Sequence, residues 1–365
     1  MYSKKDAAQS MNSSAEIALD EVQSSSPMLS TSLPASLSTA HRKISLPTMA
    51  LFFFAVLGLC DIFFPFAMTP AQRLFLDFAA LYGFASAVHV IFPIWLMERS
   101  GDFRELVETN VGPIQTVRFK LLLIFLAFCG SIFAVCYYGS PFWVKTVLLA
   151  QAIWGVWHYL TQTRGLYHAT VLRQPRSVYQ HTLNVLKVFV LVIFGCRMLR
   201  MGVLAYELQN EKVLYYIGIS LYWVAALLLG YILIRTALIR TSEGRQFWVL
   251  SRFFMWLMTA FTPISAYGVN AIHGAEYYEL TRKIEDRSLQ KRTNHIFAVG
   301  FLSFLFLFGL LGIFEITRFF EEYRLLSAAI LAFSLSVSNT HFVLDGWIYK
   351  MKNEQSRVLM KRFLQ

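Results

Sequence analysis

The chain has 365 residues, of which 56% are hydrophobic and only 15% are charged. A soluble domain carries about 25% charged residues, so the composition excludes an ordinary soluble globular protein. The formal net charge is +11, but the Lys and Arg residues lie mostly in short segments between apolar runs. That placement is typical of membrane topology signals and of contacts with anionic lipid headgroups, and it argues against a nucleic-acid partner.

Both ends of the chain are predicted to be polar cytoplasmic tails. Residues 1–45 are rich in Ser, Ala and Thr, and such a segment cannot bury enough apolar surface to fold alone, so we expect it to be disordered. His41, Arg42 and Lys43 precede the first apolar run and favour an N-terminus on the inside. Residues 46–350 are then the transmembrane helical domain, and residues 351–365 form a short basic tail. We expect an integral protein of a bacterial inner membrane or an equivalent membrane.

Nine apolar segments follow the first tail, and most are long enough to cross a bilayer core of about 30 Å as helices. They are continuous rather than alternating, which favours helices over a barrel. The predicted fold class is an all-α, polytopic integral membrane helical bundle with about 8–10 membrane segments. The segments are Leu46–Met68, Leu74–Met97, Val117–Tyr138, Phe142–Gln162, Thr182–Gly202, Val213–Ile239, Phe247–Leu280, His295–Phe319 and Leu325–Lys350. The polar connection Glu98–Gln115 is a candidate for an interfacial helix.

The seventh segment, Phe247–Leu280, breaks the alternation of basic flanks. It starts on a basic side with Arg245 and Arg252, and it ends on another basic side at Arg282. Pro263 lies within it, and proline removes a backbone donor and breaks or kinks a helix. We therefore predict a segment broken at Pro263 that dips into the membrane and returns, or that forms two short spans. A single crossing is the alternative.

Four apolar segments each carry a histidine at depth, namely His89, His158, His273 and His341. Three of them have a polar companion three or four residues on, a spacing that places both side chains on one helix face. The pairs are His158 with Gln162, His273 with Glu276, and His341 with Asp345. Each histidine lies six to nine residues before a basic flank or the end of its segment, which is roughly 9–14 Å along a helix. If the seventh segment returns, all four converge in the inner leaflet.

Imidazoles and carboxylates at one depth predict a metal site. Without thiolate partners this ligand chemistry favours iron, with zinc or manganese as other divalent choices. The candidate ligands are His89, His158, His273, Glu276, His341 and Asp345. The candidate catalytic residues are Glu276, Asp345, Tyr159 and Tyr277, the two tyrosines as donors to a bound oxygen species. Candidates for orienting the ligands by hydrogen bonds are Gln162, Asn270 and Asn339. The alternative is that such histidines bond to neighbouring helices or relay protons.

The spaced histidine boxes of fatty-acid desaturases and alkane hydroxylases are absent from this sequence. The arrangement of His89, His158, His273 and His341 resembles the Brp/Blh type of β-carotene-cleaving oxygenase, in which single histidines from separate helices hold one iron inside the membrane. In that family one helix supplies two histidines four residues apart, and the matching spacing here reads His341 and Asp345. The resemblance implies an iron-dependent membrane oxygenase.

The predicted function is therefore a metal-dependent oxygenase or oxidoreductase acting on a lipid or isoprenoid, a hydrophobic small molecule that enters from the bilayer. Two alternatives use the same buried residues. An ion- or proton-coupled transporter would exploit the broken seventh segment, because discontinuous helices build many transport sites. A membrane electron carrier would use two of the histidines as ligands of a b-type haem.

Overall fold

A computed structural model of the chain describes residues 46–64, 93, 97, 101–171, 176–206, 211–238, 244–259, 265, 268–269, 272–276 and 322–348. All of them belong to one compact unit, Ile44–Gln365. Both predicted tails, the predicted segment His295–Phe319 and nearly all of Leu74–Met97 lie outside these residues, as does Pro263.

The structure gives the bounds of eight helices, residues 272–276 are also helical, and none of the described residues is in a strand. The helices are α1 (Leu46–Phe63), α2 (Gly101–Val111), α3 (Ile114–Tyr138), α4 (Pro141–Val171), α5 (Arg176–Tyr206), α6 (Glu211–Leu238), α7 (Gly244–Met258) and α8 (Arg324–Ile348). Four of them, α3, α5, α6 and α8, are long and apolar enough to cross a membrane. The predicted all-α polytopic bundle is therefore confirmed. Helix α4 has 31 residues and is less apolar, because polar side chains such as Gln151 and His158 interrupt it.

The polar connection predicted to hold a helix contains α2, and a tight turn joins it to α3. Gly112 has a φ of +121°, a left-handed conformation that glycine adopts without a steric cost. Helix α2 buries Phe103, Leu106 and Val107, so it is anchored to the bundle by one apolar face. Helix α4 begins at Pro141, where the missing N–H of proline costs nothing because the first turn has no partner for it.

Helix α4 contributes to two hydrophobic clusters among the described residues. The larger cluster joins α4 to α1, α5, α6 and α7 around residues such as Val156, Leu160 and Phe253. The smaller one joins α3 and α8, through Ala332 and Leu335 for example, to the first turns of α4. Lipid tails are as apolar as these side chains, so close packing rather than exclusion of water holds the helices together. The middle of α4 is consequently enclosed on several sides.

Helices α4 and α8 run parallel to each other. The rings of Trp154 and Phe342 lie 5.7 Å apart, and further along both helices Gln162 bonds to Asp345. Since the second contact involves later residues on both helices, the two helices point in the same direction. His158 of α4 and His341 of α8 therefore lie at one level of the bundle.

Two described parts of the predicted seventh segment lie against each other. Helix α7 ends at Met258, and Thr259 forms a turn whose N–H bonds to the carbonyls of Met255 and Trp256. Glu276 lies beyond this turn, and its Oε1 accepts a hydrogen bond of 2.6 Å from Trp248 Nε1. Trp248 is 28 positions earlier in the chain. A straight helix would separate such residues by about 42 Å, so the chain turns back and forms a helical hairpin. We name the described residues 265, 268–269 and 272–276 the returning segment.

Candidate metal centre

Two histidines and one aspartate meet between α4 and α8. His158 Nε2 lies 3.4 Å from Asp345 Oδ2, and His341 Nε2 lies 3.1 Å from the same oxygen. One ligand atom from each residue lies within 4.8 Å of the other two. All three side chains are buried, and His341 is fully so. We call these residues the triad.

The local structure of α8 directs His341 and Asp345 toward α4. The hydroxyls of Ser336 and Thr340 donate to the carbonyls of Ala332 and Ser336 within their own helix, so they need no partner elsewhere. His341 and Asp345 are four residues apart and share a face. Both are buried beside α4, where Asp345 contacts His158 and Gln162.

Gln162 holds the carboxylate of the triad from α4. Its Nε2 donates a hydrogen bond of 2.5 Å to Asp345 Oδ2, and it lies one turn beyond His158 on the same helix. Phe342 covers the other side, with its ring centroid 4.3 Å from that of His158. Of the residues predicted to orient the ligands, Gln162 therefore does contact a triad member.

The spacing of the triad fits the ligand shell of one metal ion. Two neighbouring ligand atoms that each lie about 2.0–2.2 Å from one ion are about 2.8–3.6 Å apart in octahedral or tetrahedral geometry. The two distances from Asp345 Oδ2 fall in that interval. Two imidazoles and a carboxylate are also a common ligand set of transition metals, so the residues fit an ion chemically as well as geometrically.

Glu276 lies outside the triad, in a second polar cluster formed by the hairpin. Its carboxylate pairs with the guanidinium of Arg252 and accepts the hydrogen bond from Trp248. The Arg252 guanidinium also lies over the Trp248 ring, 5.3 Å from the centroid. Glu276, predicted as a metal ligand, thus has its charge matched by an arginine, because α7 brings Arg252 closer to it than any triad member.

Tyr159 and His273 lie between the triad and the hairpin cluster. The Tyr159 ring is 5.8 Å from the ring of His158 and 4.7 Å from the ring of His273. Both residues line a small cavity that Arg252 and Glu276 also border. His273 is therefore close to the triad, with the Tyr159 ring beside it.

The remaining predicted site residues divide into two groups. Asn339 is buried on α8, and its side-chain oxygen has no hydrogen-bond partner in the described part of the chain. His89, Asn270 and Tyr277 lie outside the described residues. Of the four predicted histidines, the structure brings His158 and His341 into direct proximity and places His273 next to them.

Sequence reasoning missed two of the residues that organise the hairpin. Arg252 was assigned to a basic flank, yet it is buried and paired with Glu276. The available signals were the apolar residues on both sides of Arg252 in the sequence and a carboxylate, Glu276, within the same apolar segment. Arg197 is buried on α5, and its Nη1 donates 2.8 Å to the carbonyl of Thr259, at the end of α7. An arginine within the apolar run of α5 was the corresponding signal.

No protein-family model, curated protein or solved structure matches the chain.

Proposed function

We propose that the chain is an integral membrane, iron-dependent oxygenase or oxidoreductase acting on a lipid or isoprenoid. The observation that carries the proposal is the approach of two imidazole Nε2 atoms to one buried carboxylate oxygen, at 3.4 and 3.1 Å. His158, His341 and Asp345 would hold the ion. A carboxylate on a membrane helix is costly unless it is paired, and a divalent ion would match its charge.

Iron is favoured over other ions by the type and number of ligands. Two histidines and one carboxylate on one side of an ion, with positions left open, are the ligand set of non-haem ferrous oxygenases. Such an ion supplies activation of dioxygen. The described cysteines are not part of the triad, so no thiolate directs the choice toward zinc or an iron–sulphur cluster.

The protein's own residues would bind the ion, orient its ligands and shield the site from water. Gln162 fixes the Asp345 carboxylate through its hydrogen bond, as partners of metal ligands commonly do. Phe342 packs on His158 and limits the rotation of its ring. The burial of the triad excludes water, and the helices around it face lipid, so a hydrophobic substrate would enter from the bilayer. Membrane lipids are then the partners of the outer surface.

The experiment is metal analysis of the protein purified in detergent from cells grown with iron. We expect one iron per chain in the wild type and loss of the ion in His341→Ala and in the isosteric variant Asp345→Asn. His181→Ala is the matched control, because His181 is an exposed histidine that contacts Tyr231 on α6. A wild-type protein with no more than traces of iron, zinc or manganese would refute the proposal. So would full retention of the ion in both triad variants.

Transport is a second candidate, favoured by the hairpin and its buried Arg252–Glu276 pair. Broken helices with charged residues at depth build many transport sites. Proton-coupled uptake in liposomes that is abolished by Glu276→Gln would support it. Haem ligation by His158 and His341 has less support, because the carboxylate of Asp345 occupies space between the two rings. A visible absorption spectrum of the purified protein tests that alternative directly.

A further inference from the structure

The last turns of α4 and α6 and the first turns of α5 meet at one end of the bundle. Tyr167 of α4 lies close to the hydroxyl groups of both Thr182 on α5 and Thr236 on α6. The ring of His181 on α5 also lies 5.8 Å from the ring of Tyr231 on α6. These contacts define a junction of three helices, which we call the three-helix junction.

Arg235 lies at this junction, at the depth where lipid tails give way to headgroups. It precedes Thr236 in α6, and the apolar span of α6 ends at Ala237, two residues or about 3 Å further along the helix. Arg235 is half-buried, and its Nε atom has no hydrogen-bond partner in the part of the chain that the structure describes. A buried charged donor without an acceptor is costly. We therefore expect an acceptor from outside these residues.

The helices around Arg235 carry no carboxylate in a position to be this acceptor. The sequences of α4 and α5 contain no Asp or Glu, and α6 contains only Glu211. Glu211 is 24 positions before Arg235, which is about 36 Å along the helix. The sequence from the last turns of α4 to the first turns of α5, residues 164–187, instead carries four Lys or Arg residues. An anion from the surroundings is the partner that matches this charge.

An exposed apolar surface leads from the junction along α5 and α6. His181 and Tyr231 are both exposed, and they contact each other across the two helices. Val188 lies seven residues after His181, Leu227 lies four residues before Tyr231, and both are exposed as well. Residues at these intervals share a helix face, so the exposed faces of α5 and α6 lie side by side. A lipid tail could lie along them with its headgroup at Arg235.

We propose that the three-helix junction binds the phosphate group of an anionic phospholipid, with Arg235 as its hydrogen-bond donor. A guanidinium presents Nε–H and Nη–H as a planar pair that matches two oxygens of one phosphate, and such charge-assisted pairs are strong. Basic pockets between membrane helices bind anionic headgroups in this way. A zwitterionic lipid fits less well, because its ammonium group would lie among the positive charges of residues 164–187. The site shares no residue with the triad, so it does not depend on the proposed metal.

The test is native mass spectrometry of the full chain, purified and delipidated in a mild detergent and titrated with two lipids that have identical tails. Dioleoyl phosphatidylglycerol is the anionic probe, and dioleoyl phosphatidylcholine is the zwitterionic one. We expect phosphatidylglycerol to bind about fivefold more tightly, which is the effect of one basic residue close to an anionic headgroup. Inorganic phosphate is then added as a competitor. Displacement of phosphatidylglycerol by an equal concentration of phosphate would assign the site to a soluble anion and overturn the lipid.

The variant Arg235→Gln removes the charge and the planar pair of donors. It should lower the affinity for phosphatidylglycerol about tenfold, or about 1.4 kcal/mol, and abolish most of the preference over phosphatidylcholine. Arg118→Gln is the matched control. Arg118 is a half-buried arginine that bonds to Gln115 near the start of α3, and the two-residue connection between α3 and α4 places that start at the same end of the bundle. This control should keep the wild-type preference.

The variant Arg235→Lys keeps the charge and removes the planar pair, so it should bind phosphatidylglycerol severalfold more weakly than the wild type while retaining the fold. Wild-type affinity in Arg235→Lys would overturn the assignment of the guanidinium, even if Arg235→Gln fails to fold. Equal affinity of the wild type for the two lipids would overturn the proposal. An equal loss in Arg118→Gln would overturn it too, because the preference would then come from the overall positive charge of this end of the bundle.

Discussion

The buried ion pair between Arg252 and Glu276 is expected to hold the two arms of the hairpin together. Only 8% of the Arg252 side chain and 16% of the Glu276 side chain are exposed. Trp248 donates to the same carboxylate oxygen. The variant Glu276→Gln keeps the shape and an acceptor oxygen for Trp248, and it removes only the negative charge. The positive charge of Arg252 is then left buried without a counter-ion.

The magnitude follows from that uncompensated charge. Removing one partner of a buried ion pair costs about 3–5 kcal/mol of folding free energy. Since Glu276 keeps some exposure, we expect a loss near the lower end, about 3 kcal/mol. The double variant Arg252→Met/Glu276→Met removes both charges and leaves apolar side chains of similar length. Its cost should be smaller than the summed costs of Arg252→Met alone and Glu276→Met alone by about 2 kcal/mol or more.

The assay is unfolding of the purified protein in detergent, followed by circular dichroism, for the wild type, Glu276→Gln, Arg252→Met, Glu276→Met and the double variant. Glu105→Gln is the control, because Glu105 is an exposed carboxylate of α2 and such changes usually alter stability by less than about 1 kcal/mol. If Glu276→Gln costs no more than this control, the pair does not hold the hairpin. Strict additivity in the double variant would refute the coupling in the same way.

Two further predictions concern how the hairpin is fastened to the bundle. A methyl group at Gly268 would collide with the side chain of Phe54 on α1, so Gly268→Ala should cost about 1–3 kcal/mol in the same assay. Gly165→Ala, where nothing lies within 4 Å of the added methyl, should cost nothing. Arg197→Met leaves the Thr259 carbonyl without its donor, and hydrogen exchange in the hairpin should accelerate while exchange in α3 stays unchanged. Equal exchange in wild type and variant would show that Arg197 does not cap α7.

Much of the bundle could be predicted from the sequence because lipid leaves the backbone few choices. A continuous apolar run must satisfy its own hydrogen bonds, so it forms a helix, and the predicted Val117–Tyr138 corresponds to α3 within three residues. The end of α4 was less predictable. The predicted segment stops at Gln162, where polar residues begin, whereas the helix continues to Val171. Polar residues show where the apolar part of a segment ends, but the helix itself can continue beyond that point.

The candidate site was predictable where it depends on spacing within one helix. His341 and Asp345 share a face of α8, and His158 and Gln162 share a face of α4, so each pair could be identified from its four-residue interval. The partner of Glu276 was not predictable in this way. It depends on how far the chain travels before it turns back, and the turn sets Arg252 and Trp248, 24 and 28 positions earlier, against the carboxylate.

The two polar clusters are connected through consecutive residues of one rigid helix. Neighbouring residues on an α-helix point about 100° apart, so His158 faces α8 while Tyr159 faces the returning segment. Helix α4 is held on several sides by both hydrophobic clusters, and this fixes the distance between the triad and the cavity. The triad and the hairpin cluster therefore occupy different faces of α4, and Trp256→Phe should leave the metal content of the triad intact.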